Sequence, residues 1–269
     1  MRDAYLIIAH NEFEVLQLLL SALDNTQIDI YIHFDKKVRQ LPELTTKYSN
    51  LYVLDKRVDV RWGHVTQIKT EMLLFATAAK NGPYRFYHLI SGTHLPLKDL
   101  NGLNVYFQSR SGNSVVTGLT KDTPYQETLK MHRINLFLRN YASKSNFLSG
   151  ISQFLWKSII AIQRWLHIEI NKSEDFWKSS NWVSLSEDAV RYLVSRKQLI
   201  LRKYRYSLCG DEFFVASELM QSPLRNKIYD EELYLKCDMQ RANPRTYSLD
   251  ELPVLKETGY LFARKFTSR

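Results

Sequence analysis

Tyr5-Leu-Ile-Ile-Ala9 is the stretch that decides the fold, because a short, branched apolar run between polar residues is typical of a buried strand. Ile28 to Phe34 predicts a second strand, Leu51 to Leu54 a third and Phe86 to Ile90 a fourth. Helical patterns separate these runs, the clearest from Val65 to Lys80. Strands that alternate with helices indicate a parallel sheet with crossover helices, and therefore an α/β fold.

The ends of these strands carry polar residues. His10 follows the first strand, Asp35 follows the second, and Ser91-Gly92 follows the fourth. Asn11, beside His10, is a residue type that can cap the helix after the first strand. Because ligands of open α/β sheets gather at the carboxyl ends of the strands, the sequence predicts a binding site at this edge.

The chain has 269 residues, with 37 Lys and Arg against 28 Asp and Glu, and therefore a net charge of +9. Its 45% hydrophobic and 24% charged residues are a globular balance, which argues against disorder and low-complexity structure. The basic excess points to an anionic partner. Nucleic acid, an anionic membrane surface and a phosphorylated substrate are the three candidates.

Cysteine usage and the absence of targeting signals bear on the compartment. Cys209 and Cys237 are too few for a disulfide framework and resemble thiols of a reducing compartment. The first residues show no secretory signal, and no apolar run reaches the ~18 residues of a membrane span. We therefore expect a cytoplasmic protein, peripheral at most on the inner face of the cell membrane.

Common phosphate and metal motifs are missing from the sequence. There is no glycine-rich phosphate loop, no zinc-type Cys/His spacing and no D-x-D pair of the kind that holds a divalent cation on a nucleotide diphosphate. If the protein binds such a diphosphate, cationic side chains must take the place of the metal.

A helix is predicted over about 147–168, where apolar residues recur at spacings of three and four. The stripe and the residues that widen it are Phe147, Leu148, Ile151, Phe154, Leu155, Trp156, Ile159, Ile160, Ile162, Trp165 and Leu166. One interpretation is a helix packed on the core. The other is an interfacial membrane helix, since Trp residues and the basic Lys157 and Arg164 suit that location.

Several short blocks, in a fixed order, extend over nearly the whole chain. They are Tyr5-Leu-Ile-Ile-Ala-His10, Ile32-His-Phe-Asp-Lys36, Arg61-Trp62-Gly63, Leu89-Ile-Ser-Gly92 through Pro96-Leu-Lys98, Asn181-Trp182-Val-Ser-Leu185, Gly210-Asp211-Glu212-Phe-Phe214 and Leu261-Phe-Ala-Arg-Lys-Phe266. Together they resemble the core-2/I-branching N-acetylglucosaminyltransferases and peptide-O-xylosyltransferases, in a bacterial-type member.

The resemblance implies one glycosyltransferase domain over residues 1–269, with a GT-A-like, Rossmann-type mixed sheet flanked by helices and a helical insertion. Residues 1–118 would form the nucleotide-binding half, and residues 119–269 the acceptor-binding and catalytic half. The implied reaction is inverting transfer from a UDP-sugar to an acceptor hydroxyl, without a metal ion or other cofactor. The sugar, whether N-acetylglucosamine, xylose or another hexose, stays open.

The resemblance also assigns roles to charged residues. Inverting transfer needs a base on the acceptor hydroxyl, and the resemblance gives that role to Glu212. Arg264 and Lys265 are the candidates to neutralise the UDP leaving group. Either Arg241 or Arg245 would supply a further cation.

Other positions are expected around the donor and the acceptor. Those next to the nucleotide are His10, Asn11, Asp35, Val60 and Arg61. Those on the donor-sugar and acceptor side are Ser91, Gly92, Thr93, Asn181, Trp182 and Asp211. His94 stands where the family usually carries Asp, which makes the identity of the sugar uncertain.

A short chain of this kind suggests bacterial surface polysaccharide synthesis, with a glycan acceptor linked to a lipid diphosphate. Two alternatives remain open. A nucleic-acid-binding module would use the basic segment from Arg191 to Arg205, although the resemblance implies no nucleic acid. A catalytically inactive scaffold is the other, and the presence of Glu212, Arg264 and Lys265 argues against it.

Overall fold

The computed structural model describes residues 1–240 and 243–268, which form a mixed α/β fold. The strands are β1 (Asp3–Ala9), β2 (Ile28–Phe34), β3 (Asn50–Val53), β4 (Phe86–Ser91), β5 (Leu95–Pro96), β6 (Ser114–Val116), β7 (Val183–Ser186), β8 (Ile228–Asp230), β9 (Leu235–Lys236), β10 (Met239–Gln240), β11 (Asn243–Pro244), β12 (Tyr247–Ser248), β13 (Phe262–Ala263) and β14 (Phe266–Thr267).

The helices lie on both faces of the main sheet and in the segment between β6 and β7. They are α1 (Phe13–Leu23), α2 (Thr66–Ala78), α3 (Leu100–Gln108), α4 (Pro124–Met131), α5 (Asn146–Trp165), α6 (Glu187–Ser195), α7 (Lys197–Lys203), α8 (Phe214–Met220) and α9 (Leu252–Lys256). A 3-10 turn at Gly210–Glu212 precedes α8.

The main sheet has seven strands in the order β3-β2-β1-β4-β7-β6-β8. Strands β1 to β4 are parallel, whereas β7 runs antiparallel to β4 and β6. Because β7 is reversed, Val183 pairs with Leu89, and the start of β7 lies at the edge where β1, β2 and β4 end. The sheet confirms the predicted class, a mixed α/β sheet flanked by helices, and it pairs strands from both predicted halves of the chain.

The sheet is buried on both faces. Every residue of β2 and β4 is buried, as expected of parallel strands covered by helices. One apolar cluster packs α2 and α6 on one face, and a second packs α1 and α3 on the other. The core thus holds the strand ends in a fixed arrangement.

Helix α1 differs from the prediction at its start. Its N-cap is Glu12, which has a left-handed backbone (φ 52°), and no side chain caps it, so the prediction that Asn11 is the cap is wrong. The carboxylate of Glu12 instead accepts hydrogen bonds from Thr267 and Ser268. The turn after β1 is therefore shaped by its contact with the far end of the chain.

The C-terminal segment crosses the edge at which the parallel strands end. Strand β13 pairs antiparallel with β5 and parallel with β9. The backbone N–H of Phe266 donates to the carbonyl of Thr93 at 3.0 Å. These bonds hold Arg264 and Lys265 beside the end of β4.

Helix α5 matches the predicted helix, but its orientation is unusual. Its buried face carries Ser152, Trp156, Ile160 and Gln163, and Nε1 of Trp156 donates to Oδ1 of Asn135 at 2.8 Å. Its other face exposes most of the apolar stripe, as described below. In the described residues, no helix combines the length and the apolar character needed to cross a membrane.

Candidate active site

A cavity of about 240 Å³ lies at the carboxyl ends of β1 and β4. Its lining residues are Ile8, Ala9, His10, Asn11, Val60, Trp62, Gln67, Glu71, Ser91, Gly92, Thr93, Asn181, Trp182, Arg264 and Lys265. The structure thus brings together ten of the predicted site residues, drawn from five separate parts of the sequence. A larger groove at the opposite edge has its cation Arg85 already paired with Asp3.

Gly92 lines the cavity where the turn after β4 lies against the end of β1. A Cβ at this position would lie 3.1 Å from the Cβ of Ala9, which is tighter than an ordinary contact. Glycine therefore lets the turn after β4 approach the end of β1 without displacing Ala9.

Two cations, Arg264 and Lys265, line the cavity. The guanidinium of Arg264 lies 4.9 Å from the centroid of the Trp182 ring, and neither Arg264 nor Lys265 has a carboxylate partner in the described part of the chain. Burial lowers the pKa of Arg264, but a guanidinium stays protonated at neutral pH. Within residues 1–240 and 243–268, no three His, Cys, Asp or Glu side chains are grouped to hold a metal ion.

His94 is a neutral group beside these cations. Its Nδ1 accepts from the backbone N–H of Ser91 at 3.0 Å and lies 2.8 Å from Oγ of Ser91. Its ring meets Trp182 edge to face at 5.0 Å. Burial, and then the charge of Arg264, hold its pKa well below the usual value. A neutral His94 therefore adds no negative charge that would compensate Arg264.

Glu212 lies outside the cavity lining. Its carbonyl accepts from the backbone N–H of Ser179 at 2.9 Å, which ties the 3-10 turn to the segment that leads to Asn181. Its side chain is 39% exposed, and its Oε2 lies 3.4 Å from Nζ of Lys178. A partly exposed carboxylate is accessible to a ligand that approaches from solvent.

Asp211 is buried under the same turn. Its Oδ2 accepts from Nε2 of Gln67 at 2.8 Å, and Oε1 of Gln67 accepts from the backbone N–H of Gly63 at 2.7 Å. Burial, and then the negative charge of Glu212, raise the pKa of Asp211 to about 7. Gln67 therefore joins the Trp62-Gly63 loop to the turn that carries Glu212.

The sequence interpretation missed Gln67 and Glu71. Both project from α2, one helical turn apart, and both line the cavity. The available signal was their helical spacing with Leu74 and Ala78, which are buried. Polar residues on a face that is otherwise apolar are candidates for a site.

Three predicted residues are engaged elsewhere. Both carboxylate oxygens of Asp35 accept from Lys37, at 2.8 Å from its backbone N–H and 2.6 Å from its Nζ. Arg61 donates to Asp59 at 2.8 and 3.0 Å. Arg245 is paired with Glu251 and does not line the cavity. Arg241 lies outside the described residues.

The basic segment from Arg191 to Arg205 forms most of α6 and α7. Arg191 is paired with Glu187, while Arg196 and Lys203 are paired with Glu218. The ring of Tyr204, which a nucleic-acid site would use for stacking, is buried in the core. Internal ion pairs thus account for much of this charge.

An α/β sheet whose strand ends enclose a cavity lined by cations and aromatic rings has the arrangement of a protein that binds an anionic ligand at that edge. The model of the Core-2/I-Branching enzyme family matches residues 4–252, so the chain belongs to this family. The membership confirms the resemblance inferred from the sequence blocks.

Two curated relatives are glycosyltransferases. One is beta-1,3-galactosyl-O-glycosyl-glycoprotein beta-1,6-N-acetylglucosaminyltransferase 4 of Danio rerio, 22% identical over 312 residues, with 98% of this chain and 65% of that protein covered. The other is xylosyltransferase oxt of Drosophila melanogaster, 22% identical over 277 residues, with 92% of this chain and 30% of that protein covered. The chain therefore spans only part of the length of each relative.

A solved structure with similarity to this chain is mouse xyloside xylosyltransferase 1 in its apo form. It is 10% identical, with a TM-score of 0.41 and coverage of 97% of both chains.

Proposed function

We propose that this protein is an inverting, metal-independent glycosyltransferase that moves a sugar from a UDP-sugar to an acceptor hydroxyl. The observation that carries the proposal is the pair Arg264 and Lys265, which face the cavity without a carboxylate partner among the described residues. A diphosphate is the ligand whose charge suits two preorganised cations. Trp182 lines the same cavity beside these cations, and aromatic residues are common partners of sugars in binding sites.

In the proposed reaction, the carboxylate of Glu212 takes the proton of the acceptor hydroxyl. The acceptor oxygen then forms a bond to the anomeric carbon, while the bond from that carbon to the β-phosphate oxygen breaks. UDP leaves with the electron pair of that bond, and Arg264 and Lys265 stabilise the negative charge that develops on it. Attack opposite the leaving group inverts the anomeric configuration.

Glu212→Gln tests the base. The variant should fold normally, because it removes only a partly exposed contact with Lys178, and such pairs contribute about 0–1 kcal/mol. Transfer should fall by about 100-fold or more, since a general base contributes roughly that factor, while UDP affinity stays unchanged. Glu257→Gln, an exposed acid after α9, is the matched control. Turnover equal to that of the unmodified protein would exclude Glu212 as the base.

We also propose that α5 binds an anionic membrane surface and brings the enzyme to a lipid-diphosphate-linked acceptor in bacterial surface polysaccharide synthesis. Phe147, Phe154 and Trp165 are 75%, 69% and 79% exposed. Between Thr128 and Ile168 the chain has six Lys or Arg residues and no Asp or Glu. An exposed apolar face in a basic setting is typical of interfacial helices.

A further inference from the structure

Glu71 is a buried acid that lines the cavity. The residue is only 1% exposed. Neither of its carboxyl oxygens has a hydrogen-bond partner in the described part of the protein. Leaving a buried polar group unpaired destabilises the folded state, so folding alone gives no reason for an acid at this position.

Other polar atoms around the cavity are unpaired too. Among the described residues that line the cavity, buried side-chain atoms without a hydrogen-bond partner include Oδ1 of Asn11, Nε1 of Trp182 and Nε of Arg264. Donors and acceptors both occur in this set. A ligand with several hydroxyl groups can satisfy both kinds, which an anion alone cannot.

We propose that Glu71 binds a hydroxyl group of the transferred sugar and so contributes to the choice of donor sugar. This inference rests on the proposed function, because it assumes that a UDP-sugar occupies the cavity. It adds a recognition residue that the sequence blocks do not contain. In this arrangement the cations Arg264 and Lys265, which line the same cavity, bind the nucleotide part of the donor.

The protonation state of Glu71 follows from its surroundings. Burial raises its pKa well above the usual value, and the negative charge of Asp211 adds to the rise. The amide of Asn181 opposes the rise without forming a hydrogen bond of good geometry. These surroundings therefore favour the neutral form of the Glu71 carboxyl. It offers one donor and one acceptor, which is the complement of a sugar hydroxyl.

Glu71→Leu and Glu71→Gln separate recognition from structure. Leucine removes both polar atoms, whereas glutamine keeps one donor and one acceptor at nearly the same positions. Met72→Leu, at a fully buried neighbour on α2, is the matched control because it conserves volume in the core.

The experiment measures the dissociation constants of UDP, UDP-N-acetylglucosamine, UDP-xylose, UDP-glucose and UDP-galactose by calorimetry, and the melting temperature of each variant. The dissociation constant of UDP divided by that of the tightest-binding UDP-sugar gives the contribution of the sugar to the affinity. We expect E71L to reduce this sugar contribution about tenfold or more with UDP affinity within twofold of the unmodified protein. E71Q and M72L should keep it within about threefold.

The melting temperature distinguishes a ligand-binding acid from a structural one. E71L should melt at the same or a higher temperature, because it removes an unpaired buried acid. A lower melting temperature with equal losses of UDP and UDP-sugar affinity would show a structural role and overturn the inference.

Three further results would also overturn it: an unchanged sugar contribution in E71L, a loss in E71Q as large as in E71L, or no contribution of the sugar in the unmodified protein. Failure of the unmodified protein to bind UDP or any UDP-sugar is a separate outcome, which would overturn the proposed function and this inference together.

Discussion

Asp211 shows how one buried carboxyl links the site to the stability of the protein. The folded protein holds its pKa near 7, against 3.8 in an ordinary environment, so between these values the folded state binds a proton that the unfolded chain has lost. Stability should therefore fall as the pH rises from about 4 to 7. A shift of this size corresponds to about 4 kcal/mol at most, at roughly 1.4 kcal/mol per pKa unit.

Asp211→Asn should remove this dependence of stability on pH. The asparagine can still accept the hydrogen bond from Gln67. We expect the variant to equal the unmodified protein near pH 4 and to be more stable at pH 8, as measured by urea unfolding at both pH values. Asp24→Asn is a control of opposite sign. Burial opposes the shift there, but hydrogen bonds from the backbone of Ser49, Lys47 and Tyr48 together lower the pKa of Asp24. Equal stability of D211N and the unmodified protein at pH 8 would contradict the argument.

The cations at the cavity give a second prediction for single residues. Arg264→Gln and Lys265→Gln should each weaken UDP binding by about 10-fold or more, because a charge-assisted hydrogen bond contributes about 1.5–3 kcal/mol. Arg245→Gln should change it little, since the Arg245 side chain is paired with Glu251. Isothermal titration with UDP measures all three. A large loss in R245Q alone would mean that Arg245 leaves Glu251 to bind the diphosphate.

At the scale of the elements, the local pattern predicted each strand of the parallel half and the long helix. The predicted strands at Ile28–Phe34 and Phe86–Ile90 match β2 and β4 within a residue, because runs of apolar β-formers need burial on both faces. The leucines of α1 do not all share one fate, since Leu18 is exposed while Leu16 and Leu20 are buried. A leucine-rich helix offers several apolar faces, and only packing chooses among them.

Helix α5 also has more than one apolar face, and only one of these faces is buried. The buried Trp156 belongs to the core, whereas Phe154 and Trp165 are exposed. We expect the protein to float with vesicles that contain phosphatidylglycerol but not with pure phosphatidylcholine. The F154S/W165S variant should lose about 80% or more of this binding, given the apolar area that two large side chains bury.

Val254→Ser is the control for the flotation experiment, because Val254 is a comparably exposed apolar residue on α9. It should float like the unmodified protein. Equal flotation of the double variant, or equal binding to neutral vesicles, would exclude α5 as a membrane-binding element.

At the scale of the whole molecule, donor binding should stabilise the fold. UDP at 100 times its dissociation constant stabilises a protein by about 2.7 kcal/mol, which raises the melting temperature by several degrees at this size. Because Arg264 and Lys265 supply the positive charge at the cavity, the shift should persist in EDTA. Thermal unfolding with UDP, with and without EDTA, measures this. A shift seen only with added Mn²⁺ would contradict metal independence.

The sequence by itself determined the α/β class, the edge of the sheet that carries the site and most of the cavity residues, because strands and their polar ends are encoded in short local patterns. Only the tertiary structure decided that β7 runs antiparallel, which brings Trp182 to that edge, and that the C-terminal segment, bonded at Phe266 to Thr93, places Arg264 at the same cavity. Likewise, only the tertiary structure placed Glu71 in the lining of the cavity and Arg245 outside that lining. Contacts between residues far apart in the chain depend on packing, and packing is a property of the whole fold that no local pattern contains.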